Sequence, residues 1–114
     1  MDITGSMLTW GEFMKVDIRV GTIVSAEVFK EARKPAYKLV IDFGSLGIRK
    51  SSAQITRLYA PEELIGKQVV AVVNFPPKQI ATIRSECLVL GAVNGDEVTL
   101  LSADKPVANG LRIG

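Results

Sequence analysis

The chain has no histidine, one cysteine and one tryptophan, and only 6% of its 114 residues are aromatic. Without His there is no Ser-His-Asp or Cys-His arrangement, no His-containing zinc site, and no side chain whose ordinary pKa lies near neutrality. Cys87 alone makes no disulfide, no CxxC redox pair and no thiolate metal cluster. These absences point away from an enzyme and predict neither a metal nor any other cofactor. Long apolar runs are missing too. The longest purely aliphatic stretch is Val69 to Val73, far below the ~20 residues needed to span a bilayer, and no charged-then-apolar leader opens the chain. The expectation is one soluble domain in a reducing, cytoplasmic setting, without membrane insertion. Met1 to Ser6 precede a second methionine at position 7 and read as an expression scar, leaving residues 7–114 as the domain.

What the chain does contain is alternation. From Val16 to Phe29 the apolar residues Val16, Ile18, Val20, Val24, Ala26 and Val28 take even positions while Asp17, Arg19, Ser25 and Glu27 take odd ones, which predicts one very long strand. Gly21 in its middle allows a sharp bend, the means by which one strand serves both halves of a small barrel wall. Tyr37 to Phe43 and Ile48 to Ala53 read as the second and third strands, joined by Gly44-Ser45-Leu46-Gly47. Pro61 to Gly66 reads as a short helix with Pro in its first turn and Gly past its end. Gln68 to Phe75 is a fourth strand. A fifth, Glu86 to Val93, turns at Asn94-Gly95 into Val98 to Leu101. Thr9 and Glu12 fit a capping box that starts a short helix carrying Trp10 and Phe13. That order is an all-β, five-stranded Greek-key OB barrel with a helix between strands three and four.

Net charge is only +2, but it is unevenly placed. Between Lys30 and Arg57 there are seven bases against Glu31 and Asp42. Strands two and three form the usual oligonucleotide face of such a barrel. Lys34, Lys38, Arg49, Lys50 and Arg57 are therefore candidate RNA contacts, with Ser51, Ser52 and Gln54 adding hydroxyl and amide groups for phosphate, ribose or base edges. An ordinary solvated face is the competing reading. Only Tyr37, Tyr59 and Phe43 supply rings nearby, so the expected ligand is the backbone of a folded RNA rather than stacked bases. Gly44-Ser45-Leu46-Gly47 matches the GXXG clamp of KH domains only superficially, because it lies between strands and not between helices. Glu62-Glu63 fits favourable placement at a helix N-terminus better than paired acid/base catalysis.

The run Phe13-Met14-Lys15-Val16-Asp17-Ile18-Arg19-Val20-Gly21-Thr22-Ile23 resembles the opening of the tRNA-binding-domain family, found as free dimers and appended to some aminoacyl-tRNA synthetases. Four further segments resemble its CsaA branch of export-related chaperones: Ala32 to Leu39, Ser51-Ser52-Ala53-Gln54-Ile55-Thr56, Val73 to Ala81, and Ser85-Glu86-Cys87-Leu88-Val89-Leu90-Gly91. Where synthetase-linked members usually carry Gly-Met after the Ser-Glu pair, this chain has Cys87-Leu88. The resemblance implies a non-enzymatic homodimer that binds unfolded precursor polypeptides for export, contacts export machinery, and carries a surface for tRNA. It adds Arg84, Ser85 and Glu86 to the RNA candidates. A tRNA-binding module or synthetase accessory is the alternative.

Two further expectations follow from the chaperone reading. Trp10 and Phe13, with Leu111 and Ile113 of the C-terminal tail, lie outside the five-strand barrel and are the candidate dimer interface. A holder of unfolded chains needs apolar pockets with polar rims. Phe29, Tyr37, Phe75, Pro76 and Pro77 are the candidate peptide contacts, with Arg33 and Lys78 beside them. The competing reading is that these rings seal the barrel rim or the dimer seam.

Overall fold

In the computed structural model, which describes residues 6–114, the expected elements form and several others join them. Residues 1–5 of the predicted scar lie outside the described residues. Helix α1 spans Trp10–Met14. The capping box is present: the Glu12 N–H donates to Thr9 Oγ1 at 3.1 Å, and the Thr9 N–H donates to the Glu12 carboxylate at 2.9 Å. The main strands are β1 Ile18–Val28, β2 Tyr37–Asp42 and β3 Ile48–Ala53, then, after helix α2 (Pro61–Leu64), β4 Gln68–Val72. Gly44–Leu46 makes a single 3₁₀ turn between β2 and β3. Leu64 of α2 is fully buried in the barrel core.

The fifth predicted strand is divided. Leu88–Val89 (β7) stays in the barrel, whereas Gly91–Asn94 (β8) leaves it and pairs with Glu97–Leu100 (β9) as a separate ribbon. Gly91 permits the departure, since a Cβ there would lie 2.5 Å from Val98 Cγ1. Before β7, a hairpin of Lys78–Ile80 (β5) and Ile83–Ser85 (β6) turns through Ala81 at φ +46°.

The antiparallel sheet runs β3-β2-β1-β4-β7 and curls into a nearly closed barrel. Closure joins β3 to the segment entering β7. The Glu86 N–H donates to Lys50 O at 2.8 Å, the Ser51 hydroxyl to Cys87 O at 2.9 Å, and the Ser52 N–H to Ser85 Oγ at 3.1 Å. The tail adds a further strand-like segment to β1: the Gly110 N–H donates to Val20 O, the Val20 N–H to Leu111 O, and the Ile113 N–H to Ile18 O.

In β1 the apolar alternation does not mark the inward face. Its apolar even positions suggest an inward face, but the barrel interior takes odd positions, Gly21 and Ile23. A Cβ on Gly21 would meet Ile41 Cγ2 at 2.6 Å and Phe43 Cε1 at 2.7 Å, so this glycine makes room for two core side chains. Val20 is buried on the opposite face, paired with Val70, and Ile18 pairs with Val72. Here β4 has two covered faces, which accounts for the unbroken apolar run Val69 to Val72. The register then shifts between Ile23 and Ser25, a bulge that leaves Val24 46% exposed and turns Ala26 toward the core. Among the described residues no helix is long and apolar enough to cross a membrane.

Candidate nucleic-acid and peptide interface

The alternation of β3 separates its two roles. Odd positions face inward: Ser51 is 1% exposed, and Ala53 and Ile55 belong to the core. Arg49 is half-buried and donates from Nη1 to Val73 O at 2.6 Å. Even positions face outward, so Lys50, Ser52 and Gln54 form a strip, with Lys38 of β2 opposite Ser52. Lys38 reaches Glu27 at 3.4 Å and lies 5.6 Å from the centroid of the Phe29 ring.

The predicted RNA contacts therefore divide. Lys34, Lys50, Gln54, Arg57 and Arg84 are exposed, with Arg57 3.5 Å from Asp96. Ser51, Ser85 and Glu86 are engaged in closing the barrel, Glu86 through both its own N–H and a carboxylate oxygen that accepts the Lys50 N–H at 2.9 Å. Their hydroxyl and carboxylate groups hold β3 to β7 in place. Cys87 sits in the same seam, and burial pushes its thiol up to about 11 despite the Ser51 hydroxyl beside it, so the group stays protonated and weakly nucleophilic at neutral pH.

The predicted peptide contacts divide as well. Phe29 and Tyr37 are 3% and 6% exposed. Tyr37 donates its hydroxyl to Tyr59 O at 2.7 Å, and the Tyr59 hydroxyl accepts the Leu100 N–H at 3.0 Å, so this aromatic girdle fastens β9 to the barrel. These two rings are core and rim residues, inaccessible to a client on the surface. The reason is geometric: Tyr37 occupies an odd, interior position of β2, whereas Phe29, just past the end of β1, is buried outside the core cluster with Lys38 over its ring. Phe75, Pro76, Pro77, Arg33 and Lys78 are exposed. Arg33, Lys34 and Lys78 line one groove with Ser52 and Gln54, whereas Phe75 and the prolines are not among its walls.

Two apolar residues outside the predicted set stand at this surface. Val93 and Leu88 are 73% and 49% exposed and border a groove with Ile55 and Val98. At the termini, Trp10 is 87% exposed, Phe13 is half-buried, and the Arg112 guanidinium donates to Met14 O at 2.8 Å, tying the tail to α1. Leu111 is exposed and Ile113 half-buried.

Comparison with known proteins fits this architecture. The family model described as "Putative tRNA binding domain" matches residues 18–112. Chaperone CsaA from Bacillus anthracis superposes with a TM-score of 0.91 at 53% identity, over 95% of this chain and 99% of its own. The CsaA chaperone protein from Picrophilus torridus gives 0.89 at 56% identity, over 95% of this chain and 100% of its own. Methionine–tRNA ligase of Methanoculleus marisnigri is 42% identical over 102 residues, 90% of this chain but 15% of the ligase. The chain thus spans only a small part of the curated relatives it matches. With the barrel, the outward basic strip and the matched span agreeing, the chain belongs to the tRNA-binding-domain family, alongside its CsaA-type members.

Proposed function

We propose that this protein is a non-enzymatic chaperone that holds unfolded precursor polypeptides before export, acting as a cytoplasmic homodimer and delivering its clients to export machinery. The observation that carries the reading is one of likeness. The two CsaA chaperones share 53% and 56% identity with this chain and superpose with TM-scores of 0.91 and 0.89, whereas the methionine–tRNA ligase segment is 42% identical. The dimer reading is supported by the exposed apolar residues Met7, Leu8, Trp10 and Met14 on and beside α1, which the Arg112 contact joins to the tail bearing Leu111. Such a cluster on a small domain suits an isologous contact.

The test follows aggregation of a chemically denatured precursor with and without the protein as salt is raised. Holding through apolar contact predicts protection that persists or strengthens in salt. If the protein gives no protection at any ratio, the chaperone reading fails.

A second reading, tRNA binding, is favoured by the outward strip with Lys34, Lys50, Arg57 and Arg84 exposed around it. A phosphate-directed surface predicts retention of tRNA at low salt that falls steeply as salt rises.

A further inference from the structure

Three grooves meet at Gln54. One, of about 360 Å3, is bordered by Ile55, Leu88, Val93 and Val98. A second, of about 520 Å3, shares Val93 and Val98 with the first and is bordered by Lys34, Arg57 and Asp96. The third, also about 520 Å3, shares Ser52 with the first and Lys34 with the second, and adds Arg33 and Lys78. Gln54 borders all three, so they form one branched trough with an aliphatic floor and cationic margins that meet at Lys34.

The chemistry of this trough discriminates between ligands. None of the residues lining the three grooves is aromatic, so unpaired bases have no ring on which to stack. Aliphatic side chains do find a matching surface, since Val93 and Leu88 stand exposed beside Ile55. The charge at the margin is also uncompensated. Arg57 already faces Asp96 at 3.5 Å, but among the described residues no salt bridge engages Arg33, Lys34 or Lys78. A ligand that brings both aliphatic groups and carboxylates satisfies both parts of the surface.

From this we infer that the trough around Gln54 is a polypeptide-binding site selective for extended segments in which aliphatic residues are flanked by Asp or Glu. The inference rests on the chaperone reading for the class of ligand, and the trough takes over the role that the sequence assigns to the ring of Phe29 and Tyr37. Apolar contact with Leu88 and Val93 supplies affinity for many sequences, while Arg33, Lys34 and Lys78 bias the choice toward acidic flanks.

The experiment measures fluorescence anisotropy of three labelled peptides on the full chain: a Leu-Val core flanked by Glu, the same core flanked by Lys, and a Ser core flanked by Glu. The Glu-flanked apolar peptide is expected to bind about tenfold or more tightly than either control, and Leu88→Ser with Val93→Ser to lose about tenfold of that affinity. Lys34→Glu with Lys78→Glu is expected to invert the preference toward the Lys-flanked peptide, a gain that misfolding does not produce. Equal binding of Glu- and Lys-flanked peptides, or a preference unchanged by charge reversal, overturns the assignment. Aggregation assays on the same variants separate this inference from the chaperone reading. Protection by the wild type that persists undiminished in both variants keeps the chaperone and moves its site elsewhere, and tRNA retention lost with Leu88→Ser and Val93→Ser gives the trough to RNA instead. If the wild type protects nothing, the chaperone reading falls, and inversion of the peptide preference still establishes the trough as a peptide site.

Discussion

The two faces of β3 carry consecutive residues to opposite ends of the protein's chemistry. Ser51 faces in, is buried, and spends its hydroxyl on Cys87 O, while Ser52 one position later faces out and borders the trough beside Gln54. The same contrast divides Arg49, which reaches across to Val73 O, from Lys50, which stands in solvent. A motif such as Ser51-Ser52-Ala53-Gln54 is therefore two motifs interleaved, one that closes a barrel and one that faces a ligand. Period-two alternation means that substitutions at neighbouring positions should differ in kind: inward changes should cost stability, and outward ones binding.

The largest effect is expected where the interior has no room at all. Gly21→Val places new atoms where Ile41 Cγ2 and Phe43 Cε1 already stand within 2.8 Å of an ideal Cβ. The cost should be about 3 kcal/mol or more, because overpacking a filled core forces side chains or backbone to move. Urea unfolding of Gly21→Val measures it. A loss below about 1 kcal/mol would show that Ile41 and Phe43 yield to the new side chain and that the barrel does not require glycine at this position.

Next in size is the seam between β3 and β7 at alkaline pH. Burial raises the Cys87 thiol from 9.0 to about 11, so the folded state resists ionisation that the unfolded chain accepts near pH 9. The stability tied to this group is present below pH 9 and is lost as pH rises from about 9 to about 11. In full it amounts to about 3 kcal/mol. Comparing the wild type with Cys87→Ala at neutral pH and at about pH 10.5 isolates the group from everything the two proteins share. The difference between the two proteins should shrink or reverse at the higher pH, and parallel losses would place the alkaline sensitivity elsewhere.

How far this contrast was legible in the sequence depends on the range of the signal. The capping box of Thr9 and Glu12, the 37–42 and 48–53 strands and the short helix at Pro61 were all readable, because each is set by spacing within a few residues. Which face of β1 looks inward was not readable. Its even positions are apolar because Val20 pairs with Val70 on a second buried face, and the bulge at Val24 then changes the parity. The β5–β6 hairpin is not legible because its strands have three residues each and its turn uses Ala81 in place of a Gly or Asn. At the site, the cations of Lys30 to Arg57 were visible as a cluster and the alternation of Tyr37, Leu39, Ile41 and Phe43 already put Tyr37 on the core side, but sequence did not reveal that Phe29, just past the end of β1, would be buried. Nor did it reveal that Val93 would be exposed, since a valine ahead of Asn94-Gly95 looks the same whether it faces core or solvent.

Ser51→Ala against Ser52→Ala puts the two faces in direct competition with the smallest change of atoms. Removing the Ser51 hydroxyl leaves Cys87 O without its donor in a buried seam, a loss of about 1–2 kcal/mol, whereas Ser52 bonds Ser85 through its backbone N–H and should lose under about 0.5 kcal/mol. Equal losses measured by urea unfolding would mean that both side chains contribute alike to closure and that the inward and outward division of β3 is too sharp.

The smallest stability effect belongs to Lys50→Glu with Arg57→Glu. Both side chains are exposed, and the one salt bridge lost, Arg57 to Asp96 at 3.5 Å, is a solvated contact, so the unfolding midpoint should hardly move. What should change is the salt dependence of tRNA retention. A phosphate contact contributes through counterion release, so losing two cations should flatten the slope of log affinity against log salt by about 2 and weaken retention most at low salt. The same pair should leave protection of an apolar client at high salt largely intact, because added salt screens the margin of the trough without weakening its aliphatic floor. Retention and slope unchanged in the double variant would remove the β3 strip from the RNA surface and leave Lys34 and Arg84 as its remaining exposed cations. If client protection collapses at high salt together with RNA retention, polypeptide and RNA depend on the same cations, and the outward face then cannot be divided into an electrostatic and an apolar part.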